Sequence, residues 1–347
     1  MTPRGVTLCC PYCRADLDDR PAGLRCTGCQ HEFPVVCGIP DLRVHPDPYI
    51  DAEADRAKGR LLAARFEDLS FAELVTFYYS ITPAVPPHHA RRFTAGVLAA
   101  PGRAAASLAE WEAQVPAAER GTAAALLEVG CGTAPLFVAA RRRFGLLVGV
   151  DVAFRWLVVA KKRLAEAGVD AVLLCASAEA LPLRDGLFDR VVADSVLEVV
   201  RDQEQTLAEC HRVLRPGGAL FVTTPNRYSL GPDPHLGLWV GGLLPPSWLA
   251  AYARRQGAVP PQRRLLSAPG LRRLLEGAGF AGPQILVPDI PADQRGRFPW
   301  PLRVLVHLYQ AARRIPMSRA LLRWIGPLLH AVAQKPPAGW ATGRPGR

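Results

Sequence analysis

The stretch Ala124-Ala-Leu-Leu-Glu128-Val-Gly130-Cys-Gly132-Thr-Ala134 decides how the rest of this 347-residue chain is read. A short apolar run ends in two closely spaced glycines, and Leu136 to Phe144 continues at helical spacing. Strand, tight turn and helix in that order suit a backbone that bends sharply and lies close to a ligand where side chains would intrude. Leu146 to Val150 gives the next strand, and Asp151 closes it 19 residues past Gly132. A carboxylate at that place can accept from both hydroxyls of a ribose lying across the strand ends.

Alternation continues outward from there. Phe154 to Ala167 has helical spacing with Gly168 as its stop, and Gln203 to Leu214 is a second helix. Ala171 to Cys175, Arg190 to Ala193 and Ala219 to Thr224 read as strands. Strands alternating with helices of about 10–15 residues predict an α/β fold, a Rossmann-like, doubly wound, mostly parallel sheet covered on both faces. Upstream, apolar residues recur at helical spacing from Asp51 to Ile81 and from His89 to Glu119, with a break near Pro101-Gly102.

A second pattern precedes all of this. Cys10-Pro-Tyr-Cys13 is followed after twelve residues by Cys26-Thr-Gly-Cys29. Two CxxC turns present four thiolates, which close a tetrahedral shell and predict a structural zinc. Cys9 and Cys37 lie outside the ligand spacing.

Composition bounds the rest. At 49% hydrophobic and 21% charged, the chain is expected to fold rather than stay disordered. No secretory signal core is read, and the longest apolar candidate for a membrane span, Leu236 to Ala250, is broken by Pro245 and Pro246. The expectation is a cytoplasmic protein. Basicity is local: from Ala251 onward 15 Arg and one Lys face Glu276, Asp289 and Asp293, a net of +13 against +11 for the whole chain.

Two resemblances rest on these residues. Cys10 to Leu42, with Phe33-Pro-Val-Val-Cys-Gly-Ile-Pro40, resembles the zinc-ribbon modules known as transfer-RNA methyltransferase activators. Leu126 to Thr224 resembles the class I S-adenosylmethionine-dependent methyltransferases of the type-11 group. In that comparison Leu126 to Gly132 is like the cofactor loop and Asp151 like the ribose-binding acid. Ala176-Ser-Ala-Glu-Ala-Leu-Pro182 is like the block that brackets adenine. Phe188 to Asp194, with Leu197-Glu198, is like the fourth-strand block facing the methyl donor, and Arg212 to Gly218 like the turn into the fifth strand.

The resemblance implies S-adenosylmethionine as cofactor, with Glu128, Gly130, Gly132, Asp151, Ser177, Ala178 and Asp194 binding it, and Cys10, Cys13, Cys26 and Cys29 holding zinc. Ala134, Ser177 and Val199 depart from the family's usual Gly, Asp and His, and a seventh strand is not evident after Gln284 to Val287.

The chain is thus divided into a zinc ribbon (1–45), a helical linker or lid (46–120) and a methyltransferase core (121–298) with a lid insertion at about 226–265. A basic amphipathic C-terminal extension (299–347) follows. His235, in the Pro-rich loop after the fifth strand, is the candidate general base, with a purely structural pin of that loop as the alternative; His88 and His89 are weaker candidates. The expected reaction is in-line methyl transfer to a small-molecule or lipid-linked acceptor. The alternative is a ribosomal RNA base, with the basic tail on phosphates. Pro301 to Gln334 reads as two amphipathic runs, the second (Leu321 to Val332) kinked at Pro327. These either pack on the domain or lie peripherally on an anionic membrane surface.

Overall fold

Each CxxC turn folds tightly on itself: the Cys10 carbonyl accepts from the Arg14 N–H at 2.9 Å, with Arg14 at positive φ. The turns belong to a four-stranded antiparallel sheet of β1 (Leu17–Arg20), β2 (Gly23–Cys26), β3 (Glu32–Val36) and β4 (Ile39–Pro40). The structure is a computed structural model and describes residues 6–21, 23–115, 124–231, 238–255, 259–260, 262–290, 295, 300–337 and 339.

Four helices follow: α1 (Ala52–Ala63), α2 (Phe71–Ser80), α3 (Pro87–Leu98) and α4 (Ala100–Glu112). Asp51 caps α1, and Ser70 with Glu73 forms a capping box on α2, so the helical region expected from Asp51 to Ile81 is two helices. The next break falls at Ala99, and Pro101 sits in the first turn of α4, where its missing N–H removes no helix bond.

The core then alternates β5 (Ala125–Val129), α5 (Pro135–Ala140), β6 (Leu146–Asp151), α6 (Phe154–Ala167), β7 (Val172–Cys175), β8 (Phe188–Asp194), α7 (Gln203–Val213) and β9 (Leu214–Pro225). After these come α8 (Pro246–Arg255), α9 (Ala268–Gly277), β10 (Ala281–Leu286), α10 (Trp300–Arg314), α11 (Pro316–Ile325) and β11 (Leu328–Gln334). The seven core strands lie in the order β10-β11-β9-β8-β5-β6-β7. β5 to β9 pair in parallel, and β11 runs antiparallel to both neighbours. The chain reverses direction across the sheet between β5 and β8, the switch point outside which doubly wound folds bind ligands. Every residue of β5 is buried, which is why it reads as an unbroken apolar run.

β11 corrects the sequence reading. Leu321 to Val332 was expected as one kinked amphipathic helix, and no seventh strand was seen. Instead α11 stops at Ile325, ahead of Pro327, and Leu328 onward enters the sheet between β9 and β10. A strand buried on both faces has no alternation to distinguish it from a helix segment. The basic C-terminal region is therefore tied into the core by its own strand.

The ribbon covers the far edge. The Leu42 N–H donates to the Cys175 carbonyl at 2.7 Å, extending the sheet past β7, and the Cys9 N–H donates to Pro182 O at 3.0 Å. Leu24, Cys26 and Phe33 join the same apolar cluster as β5 and β8. An edge that would otherwise expose unpaired backbone groups is thereby closed.

Candidate functional site

A cleft of about 710 Å³ opens at the carboxyl ends of β5, β6 and β7. Its floor is built by the glycine turn. Gly130 sits at φ +72°, and a Cβ there would stand 2.3 Å from Val196 Cγ2, so no larger residue fits without displacing Val196. Gly130 and Cys131 both donate their N–H to Val150 O, at 2.7 and 3.0 Å. Asp151 completes the clamp: one carboxylate oxygen accepts from the Gly132 N–H at 2.7 Å and the other from the Ala153 N–H at 2.8 Å. Burial pushes the Asp151 carboxyl above its ordinary value, while those two N–H donors pull the other way.

Of the residues singled out from sequence, Gly130, Asp151, Ser177 and Ala178 line the cleft wall. Ser177 is engaged with the chain after the ribbon. Its Oγ accepts from the His45 N–H at 3.1 Å and donates to His45 O at 3.2 Å. Glu128, Gly132 and Asp194 are not among the lining residues. Glu128 is buried with Oε2 unpartnered, and burial, with Asp194 and Asp151 adding, raises its carboxyl well above the usual range. Asp194 ends β8 exposed, with the Ser195 hydroxyl donating to its carboxylate at 3.2 Å. His235 lies outside the described residues. His88 lies tilted against His89, which stacks on Phe93, and neither histidine lines the cleft.

Sequence reading missed two parts of this site. Glu198 is 1% exposed and lines the cleft. Its Oε2 accepts from Thr224 Oγ at 3.0 Å, while Oε1 is unpartnered. Burial raises its carboxyl to about 7, with Asp194 adding and Thr224 opposing. The sequence placed Glu198 in the block that resembles the segment facing the methyl donor, but did not single it out as a site residue. The other part is the wall from His45 to Tyr49, which continues directly from the ribbon.

That wall is held by a buried charge network. Asp55, wholly buried on α1, accepts from the Phe154 N–H at 2.8 Å, from Arg155 at 2.9 Å and from Arg43 at 2.8 Å. Ala153 has no side chain to cap α6, so the carboxylate from α1 takes that role. Arg43 also donates to Asp41 at 2.6 Å and to Val152 O at 3.0 Å, and Arg155 reaches Asp47 at 3.0 Å. Ribbon, linker and the loop carrying Asp151 are thus joined by one set of bonds.

In the ribbon, the sulfurs of Cys10, Cys13, Cys26 and Cys29 all lie within 4.8 Å of one another, with Cys10–Cys29 at 3.6 Å and Cys13–Cys26 at 3.3 Å. Four thiolates about 2.3 Å from a common centre require separations close to these, so the donor set fits zinc.

Comparison with known proteins points the same way as the sheet order and the glycine turn. Residues 127–222 match the family model described as "Methyltransferase domain". The chain is 35% identical over 158 residues to a protein of Mycolicibacterium smegmatis named "Probable S-adenosylmethionine-dependent methyltransferase", a span of 45% of this chain and 51% of that one. It is 36% identical over 103 residues to the ubiquinone biosynthesis O-methyltransferase of Saccharophagus degradans, 29% of this chain and 44% of the relative. This chain therefore spans about half the length of these curated relatives. Among solved structures, an S-adenosylmethionine-dependent methyltransferase of Mesorhizobium loti is 19% identical with a TM-score of 0.45, covering 66% of this chain and 97% of that one.

Proposed function

We propose that this chain is an S-adenosylmethionine-dependent methyltransferase acting on a small-molecule or lipid-linked acceptor. The observation that carries the reading is the set of unpaired acids beside the glycine turn at the switch point. Glu128, Asp151 and Glu198, with Asp194 exposed at the end of β8, gather around the ends of β5, β6 and β8, and none forms a salt bridge among the described residues, while Arg155, Arg201, Arg263 and Arg264 line the rest of the cleft. Such a cluster favours a ligand that brings its own positive charge. When bound, S-adenosylmethionine supplies an electrophilic methyl on a sulfonium.

Gly130, Gly132, Asp151, Ser177 and Ala178 would hold the cofactor, with Asp151 taking the ribose hydroxyls through its remaining lone pairs. Glu198 is the group placed to act on the acceptor: its free Oε1 can take a hydroxyl proton, and a carboxyl near 7 is matched to that task. Cys10, Cys13, Cys26 and Cys29 would hold a structural zinc. The named activity of the ubiquinone O-methyltransferase relative supports a small, hydroxyl-bearing acceptor.

The test is methyl transfer from labelled cofactor into a cell extract. Label in an organic-soluble, low-mass fraction is the expected result. Label confined to RNA, with none in that fraction, overturns the acceptor class.

A further inference from the structure

We propose that α10 and α11 form a docking face for an anionic lipid bilayer, so that the acceptor is drawn from a membrane; this rests on the methyltransferase reading. Residues 300–325 contain five Arg and no acid. The arginines divide by role. Arg313 is structural, bonded to Asp289 at 3.0 Å and to Val287 O at 3.0 Å, and pins α10 to the domain. Arg319 donates to the Arg313 carbonyl. Arg303, Arg314 and Arg323 are exposed and pair with no carboxylate among the described residues.

Apolar side chains share this outer surface. On α10, Val304 and Leu308 point into solvent, Leu308 at 61% exposure, with Arg303 and Arg314 along one flank. On α11, Met317 at 85%, Leu321 and Trp324 form a stripe at i, i+4 and i+7, and no residue of that helix is buried. Exposed aliphatics beside unpaired guanidinium groups fit the interface of an anionic bilayer, where apolar side chains insert and cations meet headgroups. Nucleic acid would use the cations but gains nothing from Leu308, Met317 and Leu321, which cannot stack on bases. Among the described residues no helix is long and apolar enough to cross a membrane, so the contact is peripheral.

The face is also joined to the site through one strand end. Asn226 Nδ2 donates to Trp324 O at 2.8 Å and to Gly326 O at 2.9 Å, fixing the end of α11 against the end of β9. Two residues back, Thr224 holds Glu198. The end of this face is thereby joined to the strand end that holds Glu198, while no residue of α10 or α11 is among the cleft's lining residues.

The experiment is vesicle co-sedimentation of the full chain, with phosphatidylcholine alone and with about 30% phosphatidylglycerol. Binding is expected only to the anionic vesicles and should weaken with salt. Arg303→Glu with Arg323→Glu should weaken it about tenfold or more. Leu308→Gln with Met317→Gln should also release the protein, and because both side chains are exposed its melting temperature should hold. Equal binding to neutral vesicles or none to anionic ones overturns the proposal. So does retained vesicle binding by both double variants, or a dimer that the Leu308/Met317 variant dissolves, or tighter binding to ribosomal RNA than to anionic vesicles. Cofactor titration of the same proteins separates the two readings: a variant that binds cofactor but not vesicles supports this face, whereas a wild type that binds vesicles but no cofactor removes only the enzymatic reading.

Discussion

Two groups of buried acids sit a short distance apart in this protein and are treated in opposite ways. At the joint between ribbon and core, Asp41 and Asp55 each face guanidinium groups, and Arg43 and Arg56 hold Asp41 below its ordinary value despite its burial. At the strand ends beside the cleft, Glu128, Asp151 and Glu198 have no cation within salt-bridge distance among the described residues, and desolvation raises all three. Residue type and burial are similar, so the difference lies in the partners. The joint is complete in itself. At the strand ends the acids are left without such partners, although Arg155, Arg201, Arg263 and Arg264 line the same cleft.

The largest effect that sharpens this contrast comes from the metal. Purified protein should contain close to one zinc per chain, and chelation should unfold the ribbon, since structural sites of this kind carry about 10–16 kcal/mol of binding free energy. His45 to Tyr49 wall the cleft, so cofactor affinity should fall as the metal leaves. Elemental analysis of wild type and Cys26→Ser, with circular dichroism during chelation, reads both effects. Unchanged zinc in the variant would remove the ribbon's metal from the account.

Next in size is the joint. Asp55→Ala leaves Arg43 and Arg155 buried with a partner missing and α6 uncapped, and should cost about 3–5 kcal/mol in chemical denaturation. A loss under about 1 kcal/mol would show that the network is not what fastens ribbon to core.

The smallest effect is a pH slope with opposite sign in the two regions. The Glu198 carboxyl moves from 4.5 to about 7 on folding, so its contribution is full below 4.5 and is lost as pH rises through 7, at no more than about 1.4 kcal/mol per pH unit. Asp41 is lowered, so its contribution is present above its unfolded value and is lost as pH falls through its folded one. Urea denaturation of Glu198→Gln should flatten the slope between pH 4.5 and 7 and leave the acid limb unchanged. A variant whose slope over that range matches wild type contradicts the assignment.

Much of this was legible in the chain. β5, β6 and the stop of α6 at Gly168 followed from apolar runs and one left-handed glycine, because local pattern and tertiary role agree there. The four cysteines and Asp151 were legible because their spacing is itself the chemistry. β11 was not, since Leu328 to Gln334 is buried on both faces and carries no period. Nor was the joint. Arg43, Asp55 and Arg155 are separated by up to 112 residues, and the boundary drawn between 45 and 46 runs through the cleft wall they support. Charge pairing over such distances leaves no trace in spacing. Glu198 stood in a recognised block, yet only burial and an empty Oε1 mark it as chemical.

The central claim is that the cleft beside Asp151 binds S-adenosylmethionine, and calorimetric titration of wild type and Asp151→Ala tests it most directly. Removing a charged hydrogen-bonding partner costs about 1.5–3 kcal/mol, so the variant should bind roughly 10- to 150-fold more weakly. Equal affinity in the two proteins, or no binding by wild type, would contradict the account.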